Sequence, residues 1–186
     1  MKLKTVRCHI YQLTKAQFQQ FIDTPSILWN QLGVTGESAH EPWFRDILLQ
    51  SLHTLDEMGC HVWWLTNWPI VEIAHRTVIG GMTFKGPPNQ DGEVEIGYGM
   101  AEAYQNNGYM TECIQALVRW TFQQDGVTAV TAETAKENLP SEVVLRKNGF
   151  EHVRDTGEFR YWRIQAPIRP QTVKVSDWVR QGKPLL

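Results

Sequence analysis

The sequence has few cysteines, no long apolar run and no excess of either charge. Its three cysteines, Cys8, Cys60 and Cys113, are odd in number and match no metal-ligand spacing, which predicts reduced thiols in a cytoplasmic protein. No stretch approaches the roughly 18 consecutive apolar residues of a transmembrane helix. The net charge of −2 over 186 residues gives no electrostatic signature of nucleic-acid or membrane binding. We therefore expect a cytoplasmic protein that binds neither.

Several motifs with well-defined chemistry are also missing. The chain has no complete G-x-G-x-x-G of a dinucleotide-binding fold and no G-x-x-x-x-G-K-[ST] of a phosphate-binding ATPase loop. Its six histidines include no H-E-x-x-H or comparable ligand spacing. We therefore expect no bound metal.

The length is that of one domain with a sizeable core. We predict that residues 1–166 form this domain. Residues 167–186, marked by Pro170 and Pro184, are predicted to form an arm packed on the domain or on a partner copy in a homodimer.

Hydrophobic periodicity predicts a strand, two helices, three strands, a helix, a strand, a helix and two strands. The predicted strands cover residues 6–11, 61–66, 76–85, 93–100, 127–134, 150–154 and 158–164, with a turn or bulge at 67–69. The predicted helices cover residues 14–22, 42–58, 110–121 and 138–148, with a short helical piece at 27–32.

The most informative stretch is residues 93–122, where a strand leads through a polar turn into an amphipathic helix. The helix leaves its first N–H groups without helical partners, so this junction is a favourable place for an anion. Gly97 and Gly99 would let a ligand or another backbone approach the strand closely, and Gly108 would permit a tight turn. The alternative is an ordinary strand–helix joint in the core.

Three motifs in this order resemble the GNAT superfamily of acyl-CoA-dependent N-acetyltransferases, in the branch of ribosomal-protein alanine acetyltransferases. The family's pyrophosphate signature, [QR]-x-x-G-x-[GA], is similar to QNNGYM at residues 105–110, where Met110 replaces a small residue and must point away from the phosphates. Asn138, Ser141 and the run KNGF at 147–150 match the family's downstream pattern. Residues 5–7 and 13–14 resemble its opening strand and helix.

The resemblance implies an α+β, three-layer α/β/α fold with a mixed, mostly antiparallel sheet, splayed between the fourth and fifth strands. It also implies acetyl-CoA as co-substrate, with the backbone of Tyr98, Gly99 and Met100 pairing with pantetheine and Asn138 binding the pantetheine arm. The pyrophosphate would be held by Asn106, Asn107, Gly108, Tyr109, Met110 and Thr111.

Acetyl transfer to an amine needs a neutral amine, a donor to the oxyanion and a proton for the departing thiolate. By the same resemblance, Glu95 and Glu133 are the candidate bases, and each could instead be a solvated or ion-paired strand glutamate. Leu145 stands where many relatives carry a tyrosine acid, which leaves Ser141 as a weak substitute. Cys113 lies on the apolar stripe of its helix and is expected to be core.

The predicted function is direct transfer of acetyl from acetyl-CoA to a primary amine, either a peptide N-terminus or a small-molecule amine. One alternative is a non-catalytic acyl-CoA-binding regulatory domain of the same fold. Another is a nucleotide-binding protein that uses the same anion site. The sequence does not specify the acceptor.

Overall fold

The structure is a computed structural model that describes residues 1–59 and 61–167. Cys60 and nearly all of the predicted C-terminal arm lie outside the described residues. The strands are β1 (Lys2–Lys4), β2 (Cys8–Tyr11), β3 (Asn67–Glu72), β4 (Thr77–Phe84), β5 (Glu93–Met100), β6 (Ala129–Ala135), β7 (Glu151–Thr156) and β8 (Phe159–Gln165). The helices are α1 (Lys15–Asp23), α2 (Pro25–Leu32), α3 (Pro42–Met58), α4 (Tyr109–Thr121) and α5 (Leu139–Lys147).

The strands form one mixed sheet in the order β1-β2-β3-β4-β5-β6-β8-β7. Neighbouring strands are antiparallel except for β5 and β6, which run parallel and pair only from Glu93–Ala129 to Ile96–Ala132. Among the described residues, 97–100 of β5 have no strand partner on the β6 side. The predicted splay between these two strands is therefore confirmed.

Helices cover both faces of the sheet and bury two clusters of apolar side chains. In the larger cluster, Ile114 and Leu117 of α4 and Leu145 of α5 pack on the sheet. In the smaller one, α1, α2 and α3 pack over β2 to β4. The neighbouring residues Ile70 and Val71 belong to different clusters, and successive strand residues face opposite ways, so the clusters lie on opposite faces. The predicted α+β, three-layer architecture is confirmed.

Local signals place the helix ends well. Thr14 caps α1 by accepting from the Gln17 N–H, while the Gln17 side chain accepts from the Thr14 N–H, forming a capping box. α3 starts at Pro42 and ends before Gly59, whose φ of 57° lies in the left-handed region.

The prediction was wrong at residues 61–69. Val62–Trp64 is a 3₁₀ turn rather than a strand, and the predicted turn at 67–69 is the start of β3. A strand would send Trp63 and Trp64 to opposite faces, whereas in the 3₁₀ turn both rings pack within 6.1 Å of the Trp120 ring. All six residues of β3 are buried, which removes the alternation that marks a strand.

Pro69 is tolerated in β3 because the register with β2 begins only at Ile70. The first predicted strand, 6–11, is also shorter than expected: β2 begins at Cys8, after the unpredicted edge strand β1.

No helix within the described part of the chain is long and apolar enough to cross a bilayer.

Candidate active site

The separation of β5 and β6 opens a cleft of about 590 Å³. Its walls are the end of β5, the turn before α4 with the first residues of that helix, and one face of α5. The cleft brings together these predicted site residues: Tyr98, Gly99, Met100, Asn106, Gly108, Tyr109, Met110, Thr111, Asn138 and Ser141. Asn107, Glu95 and Glu133 are not among its lining residues.

The turn before α4 presents a run of unused amides. Asn106 and Gly108 have φ of 59° and 78°, and the first helical bond is from the Glu112 N–H to the Gly108 carbonyl. Within the described residues, the N–H groups of residues 106–111 donate to no protein acceptor. Clustered N–H groups at a turn and helix N-terminus form an anion-binding concavity.

Met110 is the residue of this turn that departs from the family signature. It is nearly buried and belongs to the core cluster under α4. Its side chain therefore packs inward, as the resemblance requires of a residue larger than glycine or alanine at this position.

The β5 wall is backbone with open space around it. A Cβ placed on Gly99 would meet no atom within 4 Å. A Cβ on Gly80 of the neighbouring β4 would lie 2.4 Å from the Gly99 carbonyl oxygen. Sequence reasoning missed Gly80, and the Gly80-Gly81 pair was the signal that could have revealed the close approach of β4 to β5.

The α5 wall is fixed by two hydrogen bonds. Asn138 caps α5 by accepting from the Ser141 N–H at 3.2 Å, which leaves its side-chain NH₂ group as the donor available to the cleft. The Tyr98 hydroxyl donates to the Ser141 carbonyl at 3.3 Å. Burial raises the pKa of Tyr98 to about 12, and the Ser141 side chain only partly opposes the rise.

Glu95 and Glu133 lie on the sheet face opposite α4. Their strand neighbours Ile96 and Ala132 point into the cluster beneath α4, so the two glutamates point away from it. Glu95 forms an ion pair with Lys85. Glu133 is exposed, accepts from the Thr156 hydroxyl at 3.4 Å, and is the first β6 residue beyond the paired region.

Sequence reasoning also missed a network that joins the β1–β2 loop to the turn before α4. Arg7 Nη1 donates to the Asn107 carbonyl at 2.9 Å, and Arg7 Nε donates to Glu112 at 3.1 Å. Glu112 also accepts from the Thr5 hydroxyl at 2.7 Å. Burial favours a higher pKa for Glu112, but the hydrogen bonds from Thr5 and Arg7 outweigh it and hold the pKa below its usual range. In the sequence, residues 5–7 stand out only by their resemblance to the opening strand of the family.

The side chains that could bind a metal ion are scattered in the described part of the chain. Within residues 1–59 and 61–167, no group of three or more His, Cys, Asp or Glu side chains is arranged to hold a metal ion.

Comparison with known proteins agrees with this geometry. Residues 10–151 match the family model of the acetyltransferase (GNAT) domain, and the chain belongs to this family. It is 30% identical to the uncharacterized N-acetyltransferase YjdG of Bacillus subtilis over 121 residues. This matched region covers 65% of this chain and 67% of that protein.

Two solved structures share the fold at low sequence identity. The ribosomal-protein-S5-alanine acetyltransferase of Vibrio fischeri superposes with a TM-score of 0.62 at 15% identity, covering 91% of this chain and 100% of that one. RimL, a ribosomal L7/L12 alpha-N-protein acetyltransferase in complex with coenzyme A, gives a TM-score of 0.60 at 14% identity, with coverages of 89% and 98%. Family membership makes this chain an acetyl-CoA-dependent N-acetyltransferase.

Proposed function

We propose that the chain transfers the acetyl group of acetyl-CoA directly to a primary amine, without a covalent enzyme intermediate. The observation that carries the proposal is the run of unused N–H groups at residues 106–111, in a turn that borders the cleft beside the separated strands. Cys113, the nearest thiol to this turn in sequence, is fully buried, which supports direct transfer.

The cleft accounts for the placement of each part of acetyl-CoA. The pyrophosphate would lie on the amides of residues 106–111, where donors and the helix dipole favour negative charge. Pantetheine would extend β5 along Tyr98, Gly99 and Met100, with the Asn138 NH₂ group as a further donor. The thioester would then reach the gap beyond Ile96, where β5 and β6 part.

Transfer requires stabilisation of the oxyanion that forms when the amine attacks the thioester. A free backbone N–H at residues 98–100 would donate to it, and one such donor is typically worth about 2.7–4 kcal/mol. The collapse of this intermediate breaks the C–S bond, and the amine nitrogen loses a proton.

Glu133 is the better placed of the two candidate bases. It stands where the strands separate, and it is exposed on the face that the amine can approach. The charge of Glu95 is balanced by Lys85, and Glu95 lies within the paired region. We therefore assign proton removal to Glu133 and keep Glu95 as the second candidate.

No strong acid faces the departing thiolate from α5. Leu145 is fully buried at the position where many relatives carry a tyrosine, whereas Ser141 lines the cleft. Ser141 would deliver a proton directly or through water. A thiol pKa of about 8.5 means that the thiolate also leaves with little assistance.

The acceptor class we favour is the N-terminus of a peptide or protein. An α-amine with a pKa of about 7.7–8.0 is about a quarter neutral near pH 7.4, whereas a lysine with a pKa of about 10.4 is about 0.1% neutral. Deprotonating an α-amine therefore needs less help from a base, and a single exposed carboxylate such as Glu133 can provide it. The S5-alanine and L7/L12 enzymes, which share this fold and are directed at ribosomal proteins, support the same class.

We place the reaction in the cytoplasm, where reduced thiols such as the buried Cys8 and Cys113 are the norm. Association of two copies through residues 167–186 stays a prediction. So does the absence of nucleic-acid and membrane partners.

Release of free thiol from acetyl-CoA tests the proposal, with peptides, polyamines and aminoglycosides as acceptors. We expect turnover with at least one peptide. Coenzyme A binding without turnover on any amine would favour the non-catalytic alternative. Stronger thermal stabilisation by ATP or NAD than by coenzyme A would favour a nucleotide-binding protein.

A matched pair of glycine variants ties the activity to the turn. Gly108 and Gly126 have nearly equal φ of 78° and 77°, and an added Cβ would meet only Arg7 at 3.5 Å in the first case and nothing in the second. Gly108→Ala and Gly126→Ala should therefore carry similar backbone strain. Only Gly108→Ala should weaken coenzyme A binding, and equal binding by both variants would contradict the placement of the pyrophosphate.

A further inference from the structure

The Arg7 side chain reaches the turn before α4 from outside the cleft. Arg7 does not line the cleft, yet its contacts converge on the first residues of α4 and the turn. Nη1 donates to the Asn107 carbonyl at 2.9 Å, Nε donates to Glu112 at 3.1 Å, and the guanidinium lies 4.1 Å from the centre of the Tyr109 ring. Three contacts in different directions leave the guanidinium plane little freedom.

The bond to the Asn107 carbonyl determines where the next amide points. In a trans peptide the C=O and N–H groups point in opposite directions, and the described residues contain no cis peptide. Because the Asn107 carbonyl is held towards Arg7, the Gly108 N–H is turned away from Arg7. Gly108 lines the cleft, so this N–H belongs to the amides that the pyrophosphate would use.

We infer that Arg7 is a positioning residue for coenzyme A, fixing the Asn107–Gly108 peptide plane so that the Gly108 N–H faces the diphosphate. This inference rests on the proposed function, in which the turn binds the pyrophosphate. Arg7 acts through the backbone and does not touch the ligand.

The geometry requires arginine rather than any cation. A guanidinium has a rigid fork that can hold Glu112 through Nε and the Asn107 carbonyl through Nη1 at the same time, whereas an ammonium is a single point of charge. Arg7→Lys keeps the charge and loses this double contact. A purely electrostatic role would survive that change, and a positioning role would not.

The test measures the dissociation constants of coenzyme A, 3′-dephospho-coenzyme A and pantetheine for the wild type, Arg7→Lys and Arg7→Gln. We expect both variants to bind the two pyrophosphate ligands about ten- to a hundredfold more weakly, the range for losing a hydrogen bond to a charged group. Pantetheine, which lacks the pyrophosphate, should bind all three proteins equally. Arg119→Gln, at the far end of α4, controls for the change in net charge.

A second measurement needs no variant. In the wild type, the Gly108 amide proton resonance should move downfield on addition of 3′-dephospho-coenzyme A and stay in place on addition of pantetheine. A stationary Gly108 resonance, or full recovery of affinity in Arg7→Lys, would overturn the role of Arg7. If the wild type bound no coenzyme A, the proposed function would fail as well, whereas unaffected Arg7 variants of a binding-competent protein would remove only this inference.

Discussion

The Tyr98 hydroxyl donates a hydrogen bond to the Ser141 carbonyl oxygen, 3.3 Å away, and thereby links β5 to α5 across the cleft. β5 and α5 form two walls of the cleft, and this hydrogen bond connects them. It also leaves the phenol in a mostly buried setting that disfavours the phenolate, which raises the pKa of Tyr98 to about 12.

Tyr98→Phe should change stability at alkaline pH. The unfolded chain loses a tyrosine proton near pH 10, whereas folded Tyr98 keeps its proton to about pH 12. Between these values the folded state binds more protons, so the free energy of unfolding of the wild type falls as the pH rises. This fall is at most about 2–3 kcal/mol, and Tyr98→Phe should lack it.

Urea titrations at pH 8 and above measure this difference, with Tyr161→Phe as a control. At pH 8 the variant should lose about 1 kcal/mol for the missing hydrogen bond. The phenol is neutral throughout the range of activity, so the shape of the pH–rate profile between pH 6 and 9 should not change. If the free energy of unfolding fell equally with pH above pH 8 in the wild type and in Tyr98→Phe, the prediction would be contradicted.

Glu133→Gln should lower kcat without weakening coenzyme A binding. A general base typically contributes about 10²–10⁴ in rate, and the loss should be larger for a lysine acceptor than for a peptide α-amine. Glu95→Gln should cost less, because Glu95 is already paired with Lys85. Steady-state kinetics with both acceptor types make the comparison, and a larger loss in Glu95→Gln would reverse the assignment.

Glu112→Gln should destabilise the fold at neutral pH and lose that effect in acid. The Glu112 pKa is depressed by its hydrogen bonds from Thr5 and Arg7, so its stabilisation is present above the ordinary carboxyl pKa and disappears as the pH falls through the lower, folded-state value. We expect a cost of about 1–3 kcal/mol at pH 7.

Chemical unfolding at pH 7 and at pH 3 measures the effect, with the exposed Glu151→Gln as the matched control. The two variants should differ at pH 7 and approach each other in acid. A difference that is independent of pH would show that Glu112 acts through packing rather than through its charge.

Gly80→Ala should destabilise the fold, whereas Gly99→Ala should leave its stability nearly unchanged. The new methyl group at Gly80 would collide with the backbone carbonyl of Gly99 at 2.4 Å, and overpacking of this kind costs about 1–3 kcal/mol. At Gly99 the methyl group enters open space, so the change should stay within about 0.5 kcal/mol. Thermal unfolding of the two variants provides the test, and equal melting temperatures would refute it.

Much of the fold follows from local pattern. The alternation along β5, the apolar stripe of α4 and the limits of α3 at Pro42 and Gly59 are all properties of adjacent residues, and they were predicted correctly. β3 could not be predicted in the same way, because its burial comes from layers on both sides and erases the period of two. The conformation at Trp63 and Trp64 could not be predicted either, because both rings pack against Trp120, which is distant in sequence.

In the candidate site too, features formed by adjacent residues could be predicted, and contacts between distant residues could not. The turn at residues 105–110 is contiguous, so its residues could be named from the sequence together with their neighbours in the cleft. The contact of Arg7 with Asn107 spans 100 positions and depends on the packing of the β1–β2 loop against α4. Alternation along β5 and β6 could have placed Glu95 and Glu133 on a common side, but the point where the pairing of the two strands ends, at Ile96 and Ala132, became visible only in three dimensions.

The sheet separates two faces of the described part of the chain, and these faces meet at the gap between β5 and β6. The turn at residues 106–111 belongs to the side that carries α4, and the exposed Glu133 belongs to the other, so in the proposed reaction the acetyl donor and the amine would enter from opposite sides and meet where β5 and β6 diverge. On this proposal, substitutions on the acceptor side would change which amine is accepted and leave the binding of the acetyl donor unchanged.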